Sequence, residues 1–240
     1  MKYEKIDKEL YIYNRSRFIK GLKPNSLAIF NSNDIVTTSA DSSAPFVQHR
    51  DILHLSGVDQ EESILIIYPD NSNEQEKEIL FLKETSELIA IWEGAKLSKS
   101  KAFATSGIKS VYWLNKFDDK LNELAQECDG IYLNKNIHSR AASKVETRDD
   151  RFRKTITKKF SNKEIKEIAP VMHKLRSIKS DAEITLIQNA CDITEKGLRR
   201  ILPLIKPGMM EYEIEAELMH EFLNNRSSGF AYQPIIGSGI

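Results

Sequence analysis

The tightest constraint on this chain lies near its C-terminal side, in SIKSDAEITLIQNACDITEKGLRRILPLIKPGMMEYEIEAELMHEFLNNRSSG, residues 177–229. Ser180 followed by Glu183 has the spacing of a capping box, in which each side chain satisfies an orphan amide at a helix start. Ile184, Ile187, Cys191, Thr194, Leu198 and Ile201 then recur at steps of three and four, which predicts one helix burying a continuous stripe. Pro203 ends it, and Lys206-Pro-Gly-Met209 turns the chain into a second helix. There Glu211 and Glu213 favour the positive dipole end, and Ile214, Leu218 and Phe222 share a face. The following FAYQPIIGSGI, 230–240, reads as a strand. Two amphipathic helices with a strand after them require a covering sheet. No further strand follows within the 240 residues. Each large apolar residue left uncovered forfeits roughly 1.5 to 3 kcal/mol, and a domain is stable by only about 5 to 15 kcal/mol. The segment from about residue 176 onward is therefore expected to be marginally stable by itself.

Upstream the texture differs. Tyr11, Arg15, Phe18 and Leu22 fall at helical spacing, and Lys23-Pro24-Asn25 reads as the stop. Short β-branched or aliphatic runs follow at 26–30, 34–38, 63–68 and 78–83, the last two predicting a hairpin across the turn residues 69–73. Beyond Trp92, strand and helix patterns alternate: a short helix over 98–106, a strand at 110–113, a helix over 116–127 on Phe117, Leu121 and Leu124, and a strand at 130–133. Strands joined through helices imply a partly parallel, helix-covered sheet, so the N-terminal part reads as α/β. The charged stretch 134–166 reads as a solvated linker with a domain boundary near its end, giving domains of 1–170 and 171–240.

Composition excludes several partners. Thirty-five basic residues balance thirty-five acidic ones, so no bulk field favours nucleic acid or an anionic membrane. The N-terminus has charges from its second residue and no apolar core of a signal peptide, and no stretch approaches about 18 uninterrupted apolar residues. A soluble, cytoplasmic protein is expected. Cys128 and Cys191, both in predicted helices and in no CxxC pattern, read as reduced structural thiols.

The motifs that could carry chemistry within these residues fail. His220-Glu221 opens like HExxH, but Asn224 stands where that zinc site needs its second histidine. Gly237-Ser238-Gly239 lacks both the third glycine and the helix of a nucleotide loop. His49, His54, His138, His173 and His220 have no ligand spacing, and Asp118-Asp119 and Asp149-Asp150 sit in charged surroundings. No metal site or catalytic residue of this chain follows from them.

Five stretches in order nonetheless resemble one family: SADSSAPFVQHRDILHLSGVDQEESILII at 39–67, IAIWEGAKL at 89–97, HKLRSIKSDAEITLIQNACDIT at 173–194, KPGMMEYEIEAELMHEF at 206–222, and FAYQPIIGSG. Together they are similar to the first half of an aminopeptidase P, a Xaa-Pro aminopeptidase of the creatinase and prolidase pita-bread group. The resemblance implies an N-terminal mixed-sheet α/β domain followed by the truncated start of an α+β pita-bread domain. It also implies hydrolysis of the bond preceding proline at a peptide's N-terminus by two divalent metals, usually manganese. Their Asp, Asp, His, Glu, Glu ligands and a substrate-contacting histidine would lie beyond Ile240. A fragment ending there would be inactive and metal-free. Paired metals bridge a hydroxide and polarise the scissile carbonyl, and proline lacks the amide proton and has a fixed φ.

Two positions carry over as substrate-binding candidates. Trp92 matches the N-domain tryptophan that, in tetrameric members, reaches a neighbouring subunit's active site, and Tyr232 matches a tyrosine near the metal pair. A homo-oligomer, dimer or tetramer, and proline-containing peptides are the implied partners. Ala44, Val47 and Lys96 depart from the family pattern, Lys96 where an arginine fork is frequent. A prolidase restricted to dipeptides, or a pita-bread binding module without metals, are the alternatives.

Overall fold

The computed structural model describes residues 5–135 and 144–237, so His138 and the terminal Ser238-Gly239-Ile240 lie outside the described residues. The chain divides between Ser177 and Ile178 into two compact units.

In the first unit, short and mostly apolar runs build a six-stranded sheet: β1 (Ser26–Asn31), β4 (Ile64–Ile67), β5 (Glu78–Leu82), β6 (Ser110–Trp113), β7 (Gly130–Leu133) and β8 (Glu164–Glu167). Their order is β6-β5-β4-β1-β7-β8. The pairs β1/β4 and β4/β5 are antiparallel, while β5/β6, β1/β7 and β7/β8 are parallel. A separate antiparallel pair joins β2 (Thr37–Ser39) and β3 (Ser42–Ser43). The pleat sends Ala28, Phe30, Leu65, Ile67, Leu80 and Leu82 to one face, and Leu27, Ile29, Ile64, Ile66, Ile79 and Phe81 to the other. Phe18 of α1 (Lys8–Ile19), Ile52 and Leu55 of α2 (Arg50–Ser56), Ala102 of α4 (Lys99–Ser106) and Met172 and Leu175 of α7 (Ala169–Ser177) cover the first face. Phe117, Leu121 and Leu124 of α5 (Phe117–Glu127) and Ile156 of α6 (Arg148–Lys159) cover the second. The result is a helix-covered mixed α/β sheet, as the alternation of elements predicts.

The linker reading of 134–166 is corrected over 144–166; residues 136–143 lie outside the described residues. A capping box between Thr147 and Asp150 starts α6, Ile156 buries one side of it, and Glu164–Glu167 adds an edge strand in register with Gly130–Leu133. The charge run is absorbed by ion pairs, two of them to acids distant in sequence. Arg151 pairs with Asp34 at 2.7 Å, Arg153 with Glu167 at 2.8 Å, Lys159 with Asp118 at 3.2 Å and Lys166 with Glu164 at 3.1 Å. Two smaller shifts occur at α1, which stops at Ile19 ahead of Gly21, and at Cys128, which caps α5 from outside. A Cβ on Gly21 would sit 2.6 Å from Val171 Cγ1, so only glycine lets α7 approach there.

The second unit is a helix pair, α8 (Asp181–Ile201) and α9 (Glu211–Asn224). The predicted box is present: Ser180 N–H donates to Glu183 Oε2 at 2.8 Å and Ser180 Oγ accepts from Glu183 N–H at 3.4 Å. Gly197 lets the helices meet, since a Cβ there would lie 2.9 Å from Phe222 Cε1 and 3.1 Å from Leu218 Cδ2. Phe222 and Ile201 are buried. The α8 stripe is not buried along its length: Ile184 is 54% exposed, Ile187 49% and Leu198 50%. The strand expected at 230–240 is also corrected over its described part, for residues 230–237 form no strand. A strand needs an edge to pair with, and among the described residues the second unit contains no strand.

Candidate functional site

Two regions of the first unit concentrate features that folding alone does not require. The first is α3 (Glu87–Glu93), a seven-residue helix with no buried residue. Ser86 caps its start by accepting from Ile89 N–H at 3.2 Å, and Gly94 at φ +81° turns the chain out of its end. Leu88, Ile91 and Trp92 stand at i, i+3 and i+4, one helical face. They are 67%, 75% and 82% exposed. Three large apolar groups on one outward face are more than a scattering of single surface hydrophobes. Ion pairs anchor the end of this helix: Lys83 bridges Glu62 at 3.2 Å and Glu93 at 3.3 Å, and Lys96 pairs with Glu61. Hydrogen bonding to Glu62 holds the Lys83 ammonium above its usual range. Leu97 N–H donates to Gln60 Oε1 at 2.8 Å, so the chain leaving α3 is tied to the same 60–62 segment. Lys96, a departure from the expected arginine, thus serves a nearly buried ion pair.

The second region is a cavity of about 400 Å³ beside that segment, lined by Asn33, Asp34, Ile35, Glu61, Glu62 and Arg148. Arg148 Nη1 donates to Ser32 Oγ at 2.8 Å, and burial pushes its guanidinium down from the ordinary value. Asp34, Glu61 and Glu62 each have a cationic partner in Arg151, Lys96 and Lys83. At the end of β1, Asn31 Nδ2 donates to Asp149 Oδ1 at 3.2 Å, and His49 Nε2 lies 3.5 Å from Asp149 Oδ2. Burial pushes the Asp149 carboxyl up, with His49 and Asn31 opposing. Sequence patterns do not point to this cluster. The one signal available is the Thr147–Asp150 box, which marks a helix start and hence a fixed direction for Asp149.

Tyr232, the other candidate, is 80% exposed in the second unit, within 230–237. Trp92 belongs to the first unit and Tyr232 to the second. His220 is exposed on α9 and Asn224 stands one turn on, so the HExxH-like start gathers no ligand set. Among the described residues no three His, Cys, Asp or Glu side chains converge as metal ligands. Among them, too, no helix is long and apolar enough to cross a membrane.

The family model for the N-terminal domain of aminopeptidase P matches residues 11–132, about half the chain. The chain belongs to the aminopeptidase P family. The model for metallopeptidase family M24 matches 185–240, which takes in most of the helix pair and the stretch beyond it. The Xaa-Pro aminopeptidase of Escherichia coli K12 is 26% identical over 235 residues, covering 98% of this chain and 53% of the relative. The mitochondrial intermediate cleaving peptidase 55 of Arabidopsis thaliana is 24% identical, covering 96% of this chain and 44% of its own length. A solved structure of a candidate aminopeptidase P from Bacillus anthracis superposes with a TM-score of 0.82 at 26% identity, over 91% of this chain and 52% of that one. The chain therefore spans about half the length of these relatives. The aminopeptidase P fold accounts for the mixed sheet, and the M24 match for the capped helix pair.

The metallopeptidase family whose model matches 185–240 implies divalent metal ions, whose chemistry is the activation of water and the polarising of a carbonyl. The described residues offer no ligand set for such ions.

Proposed function

We propose that this chain is the N-terminal part of a Xaa-Pro aminopeptidase, a metallopeptidase that removes the N-terminal residue preceding proline from peptides. The observation that carries the reading is the succession of an aminopeptidase P N-terminal domain and an M24 start in one chain. In this reading two divalent metals, with manganese the expected ion, would be held by ligands outside residues 1–240, the protein assembles as a homo-oligomer, and it works in the cytoplasm. The 240-residue chain alone is inactive. The domain boundary is placed near 170, and Trp92 and Tyr232 contact substrate or support the groups that do.

What these residues can contribute is positioning. Trp92 presents an indole face that is not used in its own unit, on a helix held by ion pairs rather than by packing. Such a surface suits the compact, apolar ring of a prolyl residue, which offers no amide proton. Tyr232 offers a phenol to a ligand or to substrate, again with little packing to hold it.

The test is hydrolysis of a Xaa-Pro peptide series by the protein from the complete gene, loaded with manganese, alongside Trp92→Ala. Cleavage of tripeptides and longer substrates is expected, with Trp92→Ala lowering turnover about tenfold while leaving thermal stability within about 0.5 kcal/mol, as for an exposed site. Cleavage confined to dipeptides would replace the reading by a prolidase. Absence of any Xaa-Pro hydrolysis would leave a binding module.

A further inference from the structure

His49 uses both ring nitrogens inside the fold, at the junction of β1, α2 and α6. It is the N-cap residue of α2, and its Nδ1 accepts from Asp51 N–H at 3.2 Å. Its Nε2 faces Asp149 Oδ2 at 3.5 Å. A neutral imidazole has one donor and one acceptor nitrogen, so accepting at Nδ1 requires the proton on Nε2, where it points to Asp149. The ring is further located by its own backbone, whose N–H donates to Gln48 Oε1 at 2.8 Å, and Gln48 is in turn bonded to Val58 O and Gln60 O. Asp51, the residue whose amide is capped, pairs through Oδ1 with Arg176 of α7 at 2.9 Å. One imidazole therefore controls the first turn of α2 and, through Asp51, its tie to the last helix of this unit.

We propose that His49 is a proton-sensitive cap: protonating the ring uncaps α2 and loosens the Asp51–Arg176 tie while the sheet stays intact. A second ring proton must go to Nδ1, which turns the acceptor into a donor aimed at another donor, Asp51 N–H. The new positive charge also sits at a helix start, where the partial charge is already positive. The charge facing the ring directly is Asp149 of α6, which Arg148 of the same helix also faces, while Arg176 of α7 is engaged by Asp51. Asp149 is held in place by Asn31 of β1, so the imidazolium stays against Asp149 while the cap opens. An asparagine or serine at this position would cap the helix at every pH, because neither titrates. Nothing in the peptidase reading uses this residue.

The experiment is amide hydrogen exchange by NMR on the 240-residue chain at about pH 8 and about pH 5.5, a span over which imidazoles change charge. After correction for intrinsic exchange, protection at the Asp51 amide should fall by about fivefold or more on acidification, the size expected of a lost cap. It should follow the His49 ring shifts, while the Ile29 amide in the sheet centre keeps its protection. In His49→Asn, with His49→Ser as the second variant should the first not fold, Asp51 protection should be the same at both pH values. Equal protection at both pH values in the parent chain would overturn the proposal, as would a pH dependence that survives in either variant.

Discussion

Replacing Arg15 tests whether the first unit is held by a buried cation. Arg15 projects from α1 and is 1% exposed. Its Nη1 donates to Leu55 O at 2.8 Å and to Ser106 O at 2.9 Å, and its Nε lies 2.8 Å from Glu78 Oε2. Leu55 and Ser106 are in the last turns of α2 and α4, each helix followed by a glycine in the left-handed region, Gly57 at φ +68° and Gly107 at φ +74°. One guanidinium thus neutralises two helix C-termini and one strand carboxylate. Burial pushes it down from its ordinary value and Glu78 opposes, but an arginine stays charged in proteins. Arg15→Met keeps most of the apolar stem volume and orphans two carbonyls, at about 1 to 3 kcal/mol each when water cannot reach them. Glu78, 28% exposed, recovers part of its hydration and adds less. The sum is near the roughly 3 to 5 kcal/mol seen when one partner of a buried pair is removed. For a chain of this size it corresponds to a melting temperature lower by roughly 6 to 20 °C. Urea unfolding followed by Trp113 fluorescence, in a Trp92→Phe background, reads the first unit alone, since Trp113 packs on its core. Arg15→Lys keeps the charge without the planar fork and should recover less than half of the loss. A cost below about 1 kcal/mol for Arg15→Met would refute the reasoning, because the orphaned carbonyls alone exceed it.

Gly197→Val should weaken the α8–α9 pair by about 1 to 3 kcal/mol, since its γ carbons extend past a Cβ already 2.9 Å from Phe222; far-UV circular dichroism with limited proteolysis between 178 and 229 checks it. Glu76 supplies a pH prediction. Burial pushes its carboxyl up, but hydrogen bonds from Tyr112 at 2.5 Å and Lys120 at 2.9 Å outweigh this and hold it below the usual carboxylate range. A depressed folded-state value stabilises above the unfolded carboxylate range and is lost as pH falls through it. Glu76→Gln should therefore flatten the stability decline below about pH 4.5, measured by urea midpoints; an unchanged acid limb would show that Glu76 contributes nothing there.

Much of the fold is legible because burial tracks the apolar pattern. The two central strands are buried on both faces and read as unbroken apolar runs, SLAIF and SILIIY, and the α8 start is written in the Ser180–Glu183 pair. Three things are less legible. The spacing Tyr11, Arg15, Phe18 places a charge within an apolar stripe, but which carbonyls it meets, 40 and 91 residues away, depends on tertiary structure. The strand Glu164–Glu167 hides in a charged run because it is an edge strand, and charge is tolerated there. The helix over 148–159 is masked by the same run, since its cations are balanced by acids distant in sequence, Asp34 and Asp118. Of the candidate site, Trp92 and Tyr232 come from motif resemblance, whereas the His49–Asp149 contact joins residues 100 apart and leaves no periodic trace.

The exposure of Trp92 sharpens what the tryptophan motif means physically. Tryptophan is highly buried on average, so an indole that is 82% exposed contributes little to its own unit. Leu88 and Ile91 beside it are nearly as exposed, and the helix that carries them is secured by Lys83 and Lys96 through Glu61, Glu62 and Glu93. An apolar face fixed by ionic anchors remains presented without being drawn into the core, because the anchors act at the helix end and leave the indole outside. Packing would have done the opposite, burying Trp92 to gain area. The stability of the first unit therefore cannot explain a tryptophan at this position, and its role is to be sought in what touches the molecule from outside, the same conclusion the peptidase reading reaches from the motif.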